Sequence, residues 1–202
     1  MTETEGVIKF DYAFSETAII PPVDPELLLW RQVLHHYELV GECPERYEGF
    51  GFGNISGRCD QGFLITASQT GGLPSLESTQ FVLVSDWSLK RNWLKAMGAL
   101  RPSSESLTHA AIYEANTEIG AVFHVHSPAL WQARKVLGLP ETSDRVPYGT
   151  VDMANTLKQM TESIGNEGLI AMAGHEDGIV AWSRTPLGAG TRLLEVLLAL
   201  DG

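Results

Sequence analysis

His124 and His126 close an apolar run, Ile119-Gly-Ala-Val-Phe-His-Val-His126, which reads as a buried β-strand. Strand side chains alternate between faces, so the two imidazoles point the same way, roughly 6.5–7 Å apart along the chain. Placed like that, they can converge on one cation at about 2.0–2.1 Å per bond. A stable site needs a third ligand and often a fourth. His175 is the candidate, in a Gly174-His175-Glu-Asp-Gly178 turn between two short apolar runs, where rigid neighbours present a loop side chain. The competing reading is three buried structural histidines. The other histidines fit less well. His35 and His36 are adjacent on a predicted helix and face different directions. His109 lies one helical turn beyond Glu105 and reads more simply as a satisfied polar residue than as a ligand.

Glu105 sits where a helix is expected to begin. A carboxylate in a first turn is stabilised by the helix dipole, which alone accounts for it. Beside a metal site the same group could act as a general base or a displaceable ligand. Ser103 and Ser104 have an ordinary capping role open to them. Their functional alternative is anion binding, since two hydroxyls and free amides at a helix N-terminus suit a phosphate or carboxylate. The glycine-rich stretch Gly49-Phe-Gly-Phe-Gly-Asn54 could bring backbone amides close to the same anion. Its spacing matches neither the dinucleotide fingerprint nor a Walker loop.

The elements that must position these residues follow from hydrophobic period and punctuation. Residues 1–24 read as an irregular N-terminal arm, punctuated by Pro21-Pro22. Asp24 can cap a helix whose first residue is Pro25 and which runs to about Val40. Strands are predicted at 62–66 and 81–84, with a further extended piece around 92–97. A helix opens at Pro102-Ser-Ser-Glu105, with one serine as its cap. After the histidine strand come a helix over 128–136, a loop over 138–149 and a helix over 152–164. Two short strands, 168–172 and 178–182, bracket His175, and a leucine-rich helix over 187–200 closes the chain. Several strand-to-strand connections are too short for a crossover helix, so antiparallel pairing is expected. The fold class is therefore α/β, a single domain with helices on both faces of a sheet.

At 202 residues the chain is long enough for one full core. Its 25 acidic and 14 basic residues leave a net charge of −11, and no Lys/Arg cluster stands out. Nucleic acid and anionic membrane are therefore excluded as partners. Two cysteines, Cys43 and Cys59, suggest a reducing compartment rather than a disulfide framework. The acidic start carries no signal peptide and no apolar run reaches the ~20 residues of a membrane span, so a cytoplasmic protein is expected.

Taken in order, Gly53-Asn54-Ile55-Ser56, Phe63-Leu-Ile-Thr66, Pro102-Ser-Ser-Glu105, Ala121-Val-Phe-His124-Val-His126-Ser-Pro128 and Gly174-His175 resemble the class II aldolase/adducin N-terminal domain family. The resemblance covers about residues 25–200, and the Pro-Ser-Ser-Glu and His-x-His-Ser-Pro pair at this spacing is specific. It implies a three-layer α/β/α domain over 25–202 around a mainly antiparallel sheet. It also implies homotetramers with active sites at subunit interfaces. His124, His126 and His175 then look like ligands of a divalent cation, zinc first, with manganese, cobalt or iron(II) as alternatives. Glu105 looks like the acid/base carboxylate, and Asn54, Thr66, Ser103 and Ser104 like a substrate or anion cradle. The activity implied is a lyase cleaving a carbon–carbon bond through a metal-stabilised enediolate. Its substrate would be a small hydroxy-carbonyl compound, phosphorylated or not. Dehydration, epimerisation and decarboxylation use the same site chemistry, and an adducin-like assembly domain is the non-catalytic alternative. Two departures from the family are visible. Its Thr-Pro-Ser-Gly is here the longer Thr66-Ala-Ser-Gln-Thr-Gly-Gly72. In the shorter interval between His126 and His175, the only tyrosine, Tyr148, does not match the family's proton-donating one.

Overall fold

The strand that carries the histidine pair, β8 (Ala121–His126), is buried along its entire length near the middle of an eight-stranded sheet. A strand covered on both faces needs apolar residues of both parities, and Val122, Phe123 and Val125 supply them. Each contributes about 1.5–3 kcal/mol through burial. The computed structural model describes residues 6–200.

In chain order the elements are β1 (Asp11–Glu16), α1 (Pro25–His36), β2 (Gly41–Glu42), β3 (Gly51–Phe52), β4 (Asn54–Cys59), β5 (Gly62–Thr66), β6 (Phe81–Ser88) and β7 (Trp93–Gly98). After these come α2 (Ser106–Ala115), β8, α3 (Pro128–Ala133), α4 (Val151–Ile164), β9 (Gly168–Ala171), β10 (Gly178–Ser183) and α5 (Pro186–Leu198). The large sheet runs β1-β7-β6-β5-β4-β8-β10-β9, and β2 and β3 form a separate small ribbon. Every pairing in the large sheet is antiparallel except β1 with β7.

The two sheet faces have separate cores. Leu107 and Ala111 of α2 and Met153 and Leu157 of α4 pack with Val122 on one face. Leu27 and Leu34 of α1, Leu130 of α3 and Leu193 of α5 pack with Phe123 and Val125 on the other. The result is a three-layer α/β/α domain. His124 and His126 share the parity of Val122 and so face the α2/α4 side.

The arm expected to be irregular over 1–24 is corrected at Asp11–Glu16, which form an edge strand beside β7. Residues 1–5 of that arm, like 201–202 of the predicted domain, lie outside the described residues. Tyr12 and Phe14 alternate with Asp11, Ala13 and Ser15 and pack on the α2/α4 core, a period-2 signal hidden by its shortness and by the alanine. Helix α1 stops four residues before the expected Val40, because Glu38 takes a left-handed φ of 55° and Leu39 N–H closes back on the Leu34 carbonyl. Helix α2 starts later than predicted, with Glu105 rather than a serine at its N-cap. Asp24 caps α1 as expected, accepting a 2.8 Å hydrogen bond from Glu26 N–H.

Candidate metal centre

Three facts of register deliver the histidines. In β8 they are two residues apart on one face. In β10, Gly178 pairs with His126, so the β9–β10 turn ends beside the pair. Within that turn His175 N–H donates to the Met172 carbonyl and Gly178 N–H to the His175 carbonyl, which folds the His175 ring back toward β8. A Cβ on Gly178 would strike His175 Cδ2, so only glycine lets the ring lie there. The end of β8 is clamped as well: His126 N–H donates to the Leu39 carbonyl and Ser127 N–H to the Asp177 carbonyl.

The three Nε2 atoms converge. His126 Nε2 lies 3.2 Å from His124 Nε2 and 3.0 Å from His175 Nε2. Nitrogens bound tetrahedrally to one zinc at about 2.0–2.1 Å lie about 3.3–3.4 Å apart, so the observed spacing is close to that of a metal-ligand face. All three residues are buried. Burial pulls the His124 imidazole down to about 4, with the Ile179 backbone opposing weakly. Burial, then the neighbouring His175, His124 and Arg46, holds His126 well below its ordinary value. Burial, then His124 and Lys9, does the same to His175. Neutral imidazoles keep their ring lone pairs at pH 7, the form that ligates a cation. The set could hold a metal ion.

Glu105 is buried and lines a small depression together with His124, Asn54, Ser103 and Ser104. It is not part of the three-histidine set. Although Glu105 is the N-cap of α2, its carboxylate makes no capping bond, so the helix does not claim it. Ser103 Oγ accepts from Glu105 N–H at 3.3 Å and its carbonyl accepts from Ser106 Oγ at 2.7 Å, which tightens the turn that presents the carboxylate. Asn54 is the register partner of His124, and its buried Oδ1 has no hydrogen-bond partner among the described residues. Thr66 stands apart from the depression. Its Oγ1 accepts from Ile55 N–H at 3.2 Å, replacing a ladder bond at the end of β4. His109 is outside the set too, as a core histidine whose Nδ1 lies 2.7 Å from Ser56 Oγ.

Several neighbours escape sequence reasoning. The Tyr47 ring packs edge-on against His126, with centroids 4.7 Å apart. Its hydroxyl donates to Asp177 Oδ2 and accepts from Arg46 Nη2, both at 2.6 Å. Tyr47 and Glu48 hold left-handed φ values of 52° and 58°, a conformation costing on the order of 1–2 kcal/mol for a non-glycine residue. The Tyr148 ring lies 4.3 Å from that of His175, and Lys9 Nζ sits 3.9 Å above Tyr148 and donates to its carbonyl at 3.0 Å. The sequence singled out Tyr148 only as a tyrosine that does not match the family's proton donor; Tyr47 and Lys9 carry no local signature.

Solved structures with this fold include the L-fuculose-1-phosphate aldolase of Thermus thermophilus, at 16% identity with a TM-score of 0.66 over 87% of this chain and 89% of that one. The sugar-phosphate aldolase of Thermotoga maritima matches at 18% identity and TM-score 0.65, covering 87% and 90% of the two chains. YgbL of Klebsiella pneumoniae, described as a putative aldolase/epimerase/decarboxylase, matches at 18% and 0.65 over 87% and 85%. No curated protein matches the chain in sequence. The profile described as Class II Aldolase and Adducin N-terminal domain matches residues 45–198, most of the chain. With fold and sequence in agreement, the chain belongs to the class II aldolase/adducin N-terminal domain family.

Proposed function

We propose that this protein is a divalent-metal-dependent lyase that cleaves a carbon–carbon bond in a small hydroxy-carbonyl compound. The observation that carries the reading is the convergence of three buried imidazoles, with His126 Nε2 3.2 Å from His124 Nε2 and 3.0 Å from His175 Nε2 and all three ligand atoms within 4.8 Å of one another. Three neutral ligands would leave a cation its full charge. When bound, such a cation supplies Lewis-acid stabilisation of negative charge developing on substrate oxygens, worth several kcal/mol. Zinc suits an all-imidazole set.

The chain's own residues do the rest. His124, His126 and His175 would hold the cation, and the Tyr47 ring limits the tilt of His126. Glu105, beside His124 in the same depression, carries the proton to and from the carbon next to the carbonyl. In the same depression, Asn54 Oδ1 can accept from, and the Ser103 and Ser104 hydroxyls donate to, a single substrate oxygen or water beside the histidine cluster. An assembly domain has no use for three buried imidazoles that all point at one spot, which argues for an enzyme. The reading extends to a cytoplasmic homotetramer with sites at subunit borders, and native mass spectrometry of purified protein checks the fourfold stoichiometry.

The test is metal content. Purified protein is expected to carry one equivalent of divalent metal, and His124→Ala to lose it while its far-UV circular dichroism stays unchanged. Stoichiometric metal in His124→Ala, or none in the wild type after zinc loading, would overturn the assignment.

A further inference from the structure

The histidine cluster has two neighbouring spaces of very unequal size. On the His124 side, the depression with Asn54, Ser103 and Ser104 encloses about 20 Å³. That is room for about one water molecule, far short of a phosphate group. On the His175 side a cavity of about 450 Å³ opens, within the size range of small-molecule sites.

The small space is closed by the altered loop after β5. Residues Ala67–Gly71 form much of its wall, and Gln69 takes a left-handed φ of 59° there. Gln69 packs so closely on Gly6 that a Cβ on that glycine would lie 2.6 Å from Gln69 Nε2. The loop is also pinned from below. The buried Arg31 guanidinium donates through Nη2 to the carbonyls of Thr70, Gly71 and Leu73 at 3.0, 2.8 and 3.0 Å. Three hydrogen bonds from one buried cation make this closure a rigid feature of the fold.

The large cavity has a different chemistry. The rings of Tyr47, Trp131 and Tyr148 provide flat apolar walls, and His175 places the cluster at its edge. One basic side chain, Arg145, is set against two acidic ones, Asp144 and Glu176. Such a lining cannot hold a dianion by charge. It suits a chain of carbons bearing hydroxyls, whose C–H faces lie on the rings while the hydroxyls bond to the charged groups.

We infer that the substrate is an unphosphorylated polyhydroxy carbonyl compound, with its carbonyl end at the histidine cluster and its hydroxylated tail in the His175-side cavity. This rests on the metal-dependent reading above, and the experiment separates the two. Zinc-loaded protein of verified one-to-one metal content is titrated calorimetrically with a panel of four- to six-carbon ketoses, L-fuculose among them, with their phosphate esters and with inorganic phosphate. At least one free ketose is expected to bind tenfold or more tightly than its ester, with inorganic phosphate not competing. Trp131→Ala and the exposed Arg145→Ala should weaken that ketose about tenfold and threefold, with metal content unchanged. Preference for any ester, competition by inorganic phosphate, or no binding of any free ketose overturns the inference while leaving the metal centre standing. Failure of the wild type to take up metal overturns the lyase reading instead.

Discussion

Acid should destabilise the metal-free protein through the histidine cluster, and the effect can be worked from His124. Its imidazole is pulled down to about 4 in the fold against 6.5 when the chain is open. Between those values the unfolded chain binds the extra proton, so stability is full above about pH 6.5 and is withdrawn as pH falls toward 4. From about pH 8 to about pH 5, His124 alone withdraws about 2 kcal/mol. For a domain of this size that lowers Tm by about 4–8 °C. His126 and His175 are shifted the same way, so the whole cluster adds to the loss. The assay is thermal unfolding of chelator-treated wild type and His124→Gln across this pH range. The amide does not titrate, so the variant should lose less stability on acidification than the wild type, by about 2 kcal/mol. Zinc at 100 times its Kd should add about 2.7 kcal/mol at neutral pH to the wild type only. Parallel pH profiles for the two metal-free proteins would refute a His124 that is buried and held neutral.

Glu105→Gln should keep stoichiometric metal yet lose about 10²–10⁴ in turnover, because the amide cannot carry the proton; undiminished turnover on an identified substrate removes Glu105 from the chemistry. Gly178→Ala drives a methyl group into His175 Cδ2 and should weaken metal binding about 10–100-fold with the fold intact, as read by competitive chelator titration. Unaltered affinity would mean that the His175 ring is not fixed by that close approach. Ser56→Ala strips partners from both His109 Nδ1 and the Tyr113 hydroxyl, at 2.7 and 2.9 Å, and should cost about 2–4 kcal/mol in urea unfolding. A loss below about 0.5 kcal/mol would show that the two groups find other partners.

The elements nearest the candidate site were the easiest to anticipate. Strand β8 shows a run of apolar residues, Asp24-Pro25 and Ser127-Pro128 carry capping chemistry, and the short links around β9 and β10 leave no room for anything but a hairpin. These signals are local and do not depend on what packs against them. The edge strand β1 was missed because six residues pairing with a strand some eighty positions later leave only a brief alternation in the sequence. The serine cap was misplaced because the Ser103 carbonyl is spent on the turn before α2, which moves the helix start to Glu105.

His-x-His on a strand determined by itself that two imidazoles share a face, since alternation is a property of the extended backbone. Which third residue joins them is a matter of sheet order. The pairing of Gly178 with His126 sets His175 there, and β10 lies beside β8 because both must bury their faces under the same helices. Thr66 shows what residue type leaves open: its Oγ1 accepts from Ile55 N–H at the end of β4, and the residue does not line the depression beside His124. Tyr47, Tyr148 and Lys9 reach the cluster from distant parts of the chain, and only the folded packing brings them there. Side-chain type is written in covalent chemistry, one residue at a time. The space left around those side chains is the small remainder after every neighbour has packed, so only the tertiary structure could divide it into a closed depression and an open cavity.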